Sequence, residues 1–320
     1  MSRRLLNKLL SAVILGGGLT LGAVTLSAQV PGGYDVCEAC QACPECAQPW
    51  SICDLIQPSD VCYQDFISPM TNPVFFEDPR MLTEARLIYI HHTLPELLGG
   101  GDVDLIALQL RAKLTERLSL IANKDGFIFY GDDVGFADDG WADVGLGLKY
   151  LIYGDPTTQT IVSGGVSLEL PVGSTRALQG NGDGEYNLFL TAGQEFWGNW
   201  HYLTATGLRL PGDRQSENQV FYWSHHIDYQ FAPTWYAFGE LNWYHYMSDT
   251  AAGGVPGING LDLYNLGSAN VAGLDIVTMA FGLKKRFGSY NELGVAYELP
   301  VTDEEDLLHN RFTFDLILRY

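Results

Sequence analysis

From Leu82 onward, apolar residues fall at alternate positions in segments of about 8–14 residues, and turn residues separate the segments. The last segment is the clearest. Phe312, Phe314, Leu316, Leu318 and Tyr320 share one face, while Arg311, Thr313, Asp315 and Arg319 share the other, with Ile317 as the exception. A period of two is that of a β-strand with one apolar face. The preceding segment sets Leu293, Val295, Tyr297 and Leu299 against Gly294, Ala296 and Glu298. Two more set Val144, Leu146, Leu148 and Tyr150 against Asp143, Gly145, Gly147 and Lys149, and Val162, Val166 and Leu168 against Ser163, Gly165, Ser167 and Glu169. The pattern predicts strands at 82–93, 103–114, 117–124, 141–152, 160–171, 186–196, 200–210, 219–231, 234–247, 275–287, 291–301 and 310–320.

The connections alternate in length. Tight ones lie around Thr115-Glu116, Asp155-Pro156, Gly198-Asn199, Ala232-Pro233 and Gly288-Ser289. Long ones run over 94–102, 125–140, 173–185, 211–218, 248–275 and 302–309. Short turns on one side and long loops on the other describe an all-β, antiparallel, up-and-down transmembrane β-barrel of about twelve strands. An even strand number puts both barrel termini on the periplasmic side. Trp141, Trp197, Trp200, Trp223, Trp235, Trp243, Phe287 and Tyr320 sit near strand ends, where amphipathic rings suit the membrane interfaces. Alternation by itself does not separate this barrel from a soluble one with the apolar face turned inward; the loop asymmetry, the terminal aromatic and the export signal favour the membrane. Outer-membrane lipid is then one expected partner. The strand ending at Tyr320 is the expected handle for the barrel-assembly machinery.

The chain starts differently. Arg3, Arg4 and Lys8 precede an apolar run from Leu9 to Leu26, which ends at Ser27 and Ala28. This is the layout of a signal peptide over 1–28, cleaved on export, although Leu26 stands where a small residue is preferred. Its loss, with three basic residues and no acid, takes the formal charge from −20 to −23. So acidic a chain is not expected to bind nucleic acid, whose phosphates call for basic groups. Much of the acidity lies in loops, at Asp132, Asp133, Asp138 and Asp139 and again at Asp303 to Asp306. A solvated rim is the expectation there, and oxygen ligation of a divalent cation is the alternative.

Residues 29–80 form a Cys- and Pro-rich segment expected in the periplasm. It holds all six cysteines: Cys37, Cys40, Cys43, Cys46, Cys53 and Cys62. An even count in an oxidising compartment reads as disulfides. The three-residue spacing of the first four leaves metal or iron–sulfur ligation open. No cofactor is expected.

Alternation also sorts the barrel interior. It places Arg111, Lys149, Glu169, Arg209, Asp228, Glu240, Lys284, Arg286, Glu298 and Asp315 on the inner wall as candidate pore-lining charges, either paired with one another or selecting solutes. Tyr222, Tyr236, Phe238, Tyr244 and Tyr246 share that side, as a candidate aromatic slot or as packing. Ser224 and His226 are too far apart along one strand, about 7 Å, for a nucleophile–base pair. Enzyme activity is not expected.

Three stretches carry a resemblance: Asp143-Val144-Gly145-Leu146-Gly147-Leu148-Lys149-Tyr150, Ser167-Leu168-Glu169-Leu170-Pro171-Val172-Gly173, and Phe281 to Phe287 with Glu292 to Glu298. With the entry stretch Asn72 to Pro79, they resemble the outer-membrane transporter family named for the MetA pathway of phenol degradation, similar in outline to aromatic-hydrocarbon channels. The resemblance covers about 72–320. It implies an outer-membrane channel or transporter for small, aromatic or apolar solutes, and it supplies no binding residues. The alternative is a plugged, structural barrel tethered through its disulfide- or metal-linked segment.

Overall fold

The computed structural model describes residues 55–251, 257–264, 266–288 and 290–320. The signal segment and Cys37, Cys40, Cys43, Cys46 and Cys53 lie outside the described residues.

Twelve antiparallel strands follow one another around a closed barrel. They are β1 (Glu84–Thr93), β2 (Asp102–Lys113), β3 in two pieces (Leu118–Lys124 and Phe127–Tyr130), β4 in two pieces (Gly140–Trp141 and Val144–Asp155), β5 (Thr160–Leu170) and β6 (Glu185–Phe196). Then come β7 (Trp200–Pro211), β8 (Val220–Ala232), β9 (Trp235–Tyr246), β10 (Asp275–Phe287), β11 (Asn291–Pro300) and β12 (Asn310–Arg319). Closure is made by β1 against β12, in a register that sets Glu84 opposite Arg319 and Leu87 opposite Leu316.

The expected strands and the short–long alternation of their connections are present. One difference is instructive. The stretch 125–140 reads as a loop, yet Phe127-Ile128-Phe129-Tyr130 continues β3 and pairs with Val103 to Ile106 of β2. These four residues do not alternate because both faces are covered by apolar matter: Ile128 and Tyr130 pack inward against Leu263 and Tyr264, and the outer face carries Phe127 against Trp141. Gly126 makes the join. Its φ of 127° suits glycine, and a Cβ there would stand 2.6 Å from the Ile106 carbonyl oxygen.

The two faces of the wall differ in kind. Leu87, Leu110, Leu148, Leu190, Phe281 and Phe314 are exposed on the outside. Arg86, Arg209, Arg311, Lys149 and Lys284 are buried on the inside. A soluble barrel hides its apolar side chains and hydrates its charges. This wall does the reverse, as a barrel surrounded by lipid must. Trp141, Trp197, Trp235 and Tyr320 are exposed near strand ends, as amphipathic rings at a membrane interface would be.

Candidate functional site: a lumen filled from both ends

Much of the described part of the Cys- and Pro-rich segment lies inside the barrel. Residues 66–82 are almost all buried against the inner wall, and the segment runs on directly into β1. The segment enters where β1 begins and β12 ends. There the Ser59 N–H donates to the Tyr320 carbonyl at 2.6 Å, and Gln57 bridges Lys113. It climbs to Asn72 and reverses, with the N–H groups of Phe75 and Phe76 both donating to the Asn72 carbonyl. Asn72 takes φ 52°, a left-handed value that asparagine tolerates better than most residues. The chain then descends into β1. We call this segment the plug.

Every strand contributes a side chain to the plug. Arg86 of β1 donates to the Pro69 carbonyl at 2.8 Å, and Gln109 of β2 to the Pro73 carbonyl at 2.8 Å. Asn123 of β3 donates to the Val74 carbonyl at 2.8 Å. Lys149 of β4 reaches Glu77 and the carbonyls of Asp78 and Arg80 at 2.7, 2.6 and 2.8 Å. Ser163 of β5 donates to the Pro79 carbonyl at 2.6 Å, and Thr191 of β6 to the Glu77 carbonyl at 2.7 Å. His201 of β7 lies 5.1 Å from the Phe66 ring, and Ser224 of β8 accepts from the Asn72 amide at 3.0 Å. Glu240 of β9 accepts the N–H groups of Met70 and Thr71 at 2.7 and 2.6 Å. Lys284 of β10 donates to the Ser68 carbonyl at 2.7 Å, and Glu292 of β11 accepts the Ser68 N–H at 3.0 Å. Arg319 of β12 donates to the Ser68 hydroxyl at 2.7 Å. Buried polar groups need partners. Here much of the partnership runs between wall side chains and plug backbone.

The other end is filled by two loops, which we call the lid. Asp262 meets Arg311 with paired bonds of 3.0 and 2.8 Å. Arg209 donates to the Leu261 carbonyl at 2.7 Å. The Tyr264 and Tyr130 hydroxyls stand 2.7 Å apart. Asp306 accepts from the Tyr246 hydroxyl and from the Gly260 N–H. Beneath these bonds Ile258, Leu263, Tyr264 and Leu307 form an apolar cluster with Ile88, Ile90, Leu105 and Ile128 of the wall. Between plug and lid remains an apolar cavity of about 30 Å³ bordered by Pro73, Val74, Ile88, Leu105 and Leu263.

Each pore-lining candidate faces inward and each has a partner. Arg111 holds Glu77 through Nε and Nη2 at 2.9 and 2.6 Å and Glu84 at 3.0 Å. Glu169 pairs Lys124 at 2.7 Å, and Arg209 pairs Glu185 at 2.9 Å. Asp228 accepts from His201 at 2.6 Å and faces His226 at 3.1 Å. Glu240 also takes His226, at 2.7 Å. Asp315 meets Arg86 and Lys284 at 2.9 and 3.0 Å. Glu298 accepts from Thr278 at 2.6 Å and lies 3.5 Å from Arg311. Arg286 pairs Asp65 at 3.1 Å and stands over the Tyr236 ring. Ser224 and His226 are fully buried and turned to different partners, Asn72 and the two carboxylates.

The five aromatic candidates are all buried but do not form one slot. Tyr222, Tyr244 and Tyr246 pack with Phe75, Ile276 and Leu308. Tyr236 and Phe238 pack with Ile67 and Met70 of the plug. Cys62 is half-buried near the plug's entry, where its carbonyl accepts from Gln159 at 2.9 Å.

Glu217 and Asp306, both in long loops, have raised carboxyl pKa values. Glu217 is pushed up to about 8, first by burial and then by Glu185 and Glu169. Asp306 is also raised by burial, against the hydrogen bonds it accepts. An open groove of about 370 Å³ on the lid side runs past Pro95, Glu96, Asp303, Glu305 and His309. No three acidic, histidine or cysteine side chains among the described residues are placed to hold a metal ion.

Sequence reasoning missed the plug's place in the lumen, and with it Glu77, Asp78 and Arg80. The available signal was the stretch Asn72 to Pro79, where two carboxylates and two phenylalanines crowd into a segment otherwise marked by prolines.

No family model matches the chain, and no curated protein matches it. Solved structures do. An outer-membrane channel from Pseudomonas putida F1 superimposes with a TM-score of 0.55 at 14% identity, covering 80% of this chain and 100% of that one. The NanC porin gives 0.49 at 10% identity over 74% of this chain and 99% of its own. The KdgM porin, solved in complex with disordered oligogalacturonate, gives 0.44 at 12% identity over 73% of this chain and 98% of its own. At these identities the first likeness shows that the chain has the fold of an outer-membrane channel barrel.

Proposed function

We propose that the chain is a channel of the outer membrane that passes small solutes and that its resident plug closes. Export would use residues 1–28, the apolar outer wall would contact lipid, and the strand ending at Tyr320 would engage the assembly machinery. One observation carries the reading: beside the wall's own side chains, separate segments seated on a polar wall fill the lumen. Eight strands leave an interior that side chains can fill, whereas sixteen leave an open aqueous channel. Twelve strands lie between, and here a separate length of chain occupies the space. The wall behind it is lined with charge and hydrogen-bonding groups that suit water and polar solutes once the plug withdraws. The family resemblance points to aromatic or apolar solutes, and the apolar patch of Ile88, Leu105 and Ile128 would suit their rings.

The test is conductance in planar bilayers. Glu240→Ala removes the acceptor of two plug N–H groups and should raise the open fraction well above that of the unaltered chain. Silence in both, with the barrel folded by heat-modifiable gel mobility, would contradict the reading. Glu240 lies 2.7 Å from His226, so Glu240→Gln serves as the milder control.

A further inference from the structure

Glu77 of the plug is held by two cations of the wall. Arg111 donates to both carboxylate oxygens through two nitrogens, and Lys149 shares Oε1 with the Arg111 Nε, at 2.7 Å. All three side chains are buried. The partners of Lys149 are one-sided. Its bonds go to the Glu77 carboxylate, the Asp78 carbonyl and the Arg80 carbonyl, and each belongs to the plug. Arg111 keeps one wall partner, Glu84, and Glu84 is shared with Arg319 at 2.7 Å. Close by, Ser163 and Thr191 spend their hydroxyl protons on plug carbonyls.

If the plug leaves, this sector of wall keeps two cations and two hydroxyl donors with no anion assigned to Lys149. A planar guanidinium beside an ammonium is the pairing that recognises a carboxylate, two-pronged on one side and point-charged on the other. With the plug out, the two cations face water, and a carboxylate that pairs with both is favoured over a neutral or cationic solute by charge and by the fork geometry.

We propose that Arg111 and Lys149 form a carboxylate-binding site of the open channel, and that Glu77 is its internal occupant in the closed state. The inference rests on the channel reading for its role in transport, though not for its chemistry. Solutes bearing a carboxylate compete with Glu77 for the two cations. Their arrival therefore favours withdrawal of the plug, since a ligand shifts an equilibrium toward the state it binds better. This names the solute class as small organic acids, and a ring on such an acid would meet the apolar patch above the plug.

The experiment uses the full chain in detergent, with acetate as probe. Glu77→Ala leaves a carboxylate-sized vacancy between Arg111 and Lys149. Acetate should raise the temperature at which this variant loses its fast gel mobility, in a saturable manner, while equal chloride should not. Adding Lys149→Met to the same chain should abolish the effect. Stabilisation by chloride and acetate alike, or acetate stabilisation that survives Lys149→Met, would overturn the site. Should Glu77→Ala fail to fold, the isosteric Glu77→Gln carries the second arm in planar bilayers. Its acetate-to-potassium permeability ratio should fall several-fold when Lys149→Met is added, and an unchanged ratio would overturn the proposal. Acetate-specific stabilisation without conductance in any variant would leave the site standing and remove the channel. Conductance without acetate preference would remove the site and leave the channel.

Discussion

The two fillings of the lumen are held by different balances of force. The plug is seated by ion pairs and by wall side chains that bond its backbone, and it also buries Phe66, Ile67, Met70, Phe75 and Phe76 against the wall. The lid is seated by an apolar cluster under a few polar ties. Displacing the plug exchanges protein hydrogen bonds for bonds to water and counter-ions, and the net contribution of each is about 0.5–1.5 kcal/mol, or about 1.5–3 kcal/mol where a charged group takes part. Lifting the lid exposes Ile258, Leu263 and Leu307 together with the wall residues beneath them, at about 1.5–3 kcal/mol for each large apolar side chain. The plug thus adds to its apolar contacts many polar ones that water or a polar solute can replace, whereas the lid has few.

Four measurements break or sharpen this contrast. The largest effect is expected from Arg311→Leu, which strands Asp262 and Glu298 in the wall–lid contact. Breaking a buried pair from one side costs about 3–5 kcal/mol, and the heat-modifiability midpoint should drop accordingly. A negligible drop would mean that Asp262 is already hydrated. Leu263→Ala should come next, at about 2–5 kcal/mol for a truncated core side chain. Proteolysis within 257–264 should accelerate while plug protection stays constant; joint loss would show that plug and lid are one unit. Smaller still is Thr191→Ala, which deletes one hydrogen bond to the plug and should cost about 1 kcal/mol. It should raise the open fraction without moving the melting midpoint much.

The smallest effect concerns pH. Glu217 binds its proton more tightly in the folded chain than in the unfolded one, so the stability it contributes is full below the ordinary glutamate pKa. That contribution is lost as pH rises toward about 8. Glu217→Gln should therefore flatten the fall in midpoint between mildly acidic and mildly alkaline buffer. A curve parallel to that of the unaltered chain would show that Glu217 is ionised throughout.

The wall was legible in the sequence because its two solvents impose a period of two. Phe312, Phe314 and Leu318 against Arg311, Thr313 and Asp315 need no further information to be sorted, and all lie on the expected faces. The rule fails where both faces meet apolar matter, as at Phe127 to Tyr130, and there the strand was read as a loop. The site was legible in part. Inward charges such as Arg111, Lys149 and Glu240 follow from alternation, but their partners do not. Glu77 reaches Lys149 across 72 positions of sequence, and the plug has no periodicity, because the wall and not a ladder of its own satisfies its backbone. Tyr222, Tyr236, Phe238, Tyr244 and Tyr246 are buried, and their division between two clusters depends on where Phe75, Ile67 and Met70 arrive.

The central claim is that the lumen is closed by a plug able to leave it. Cysteines at Asn72 and Ser224, whose side chains stand 3.0 Å apart across plug and wall, can be joined by a short reducible thiosulfonate linker after the six native cysteines are replaced by serine. Single channels of the linked protein should be silent in planar bilayers and should begin to conduct when reductant releases the plug. Equal currents before and after reduction would contradict the account.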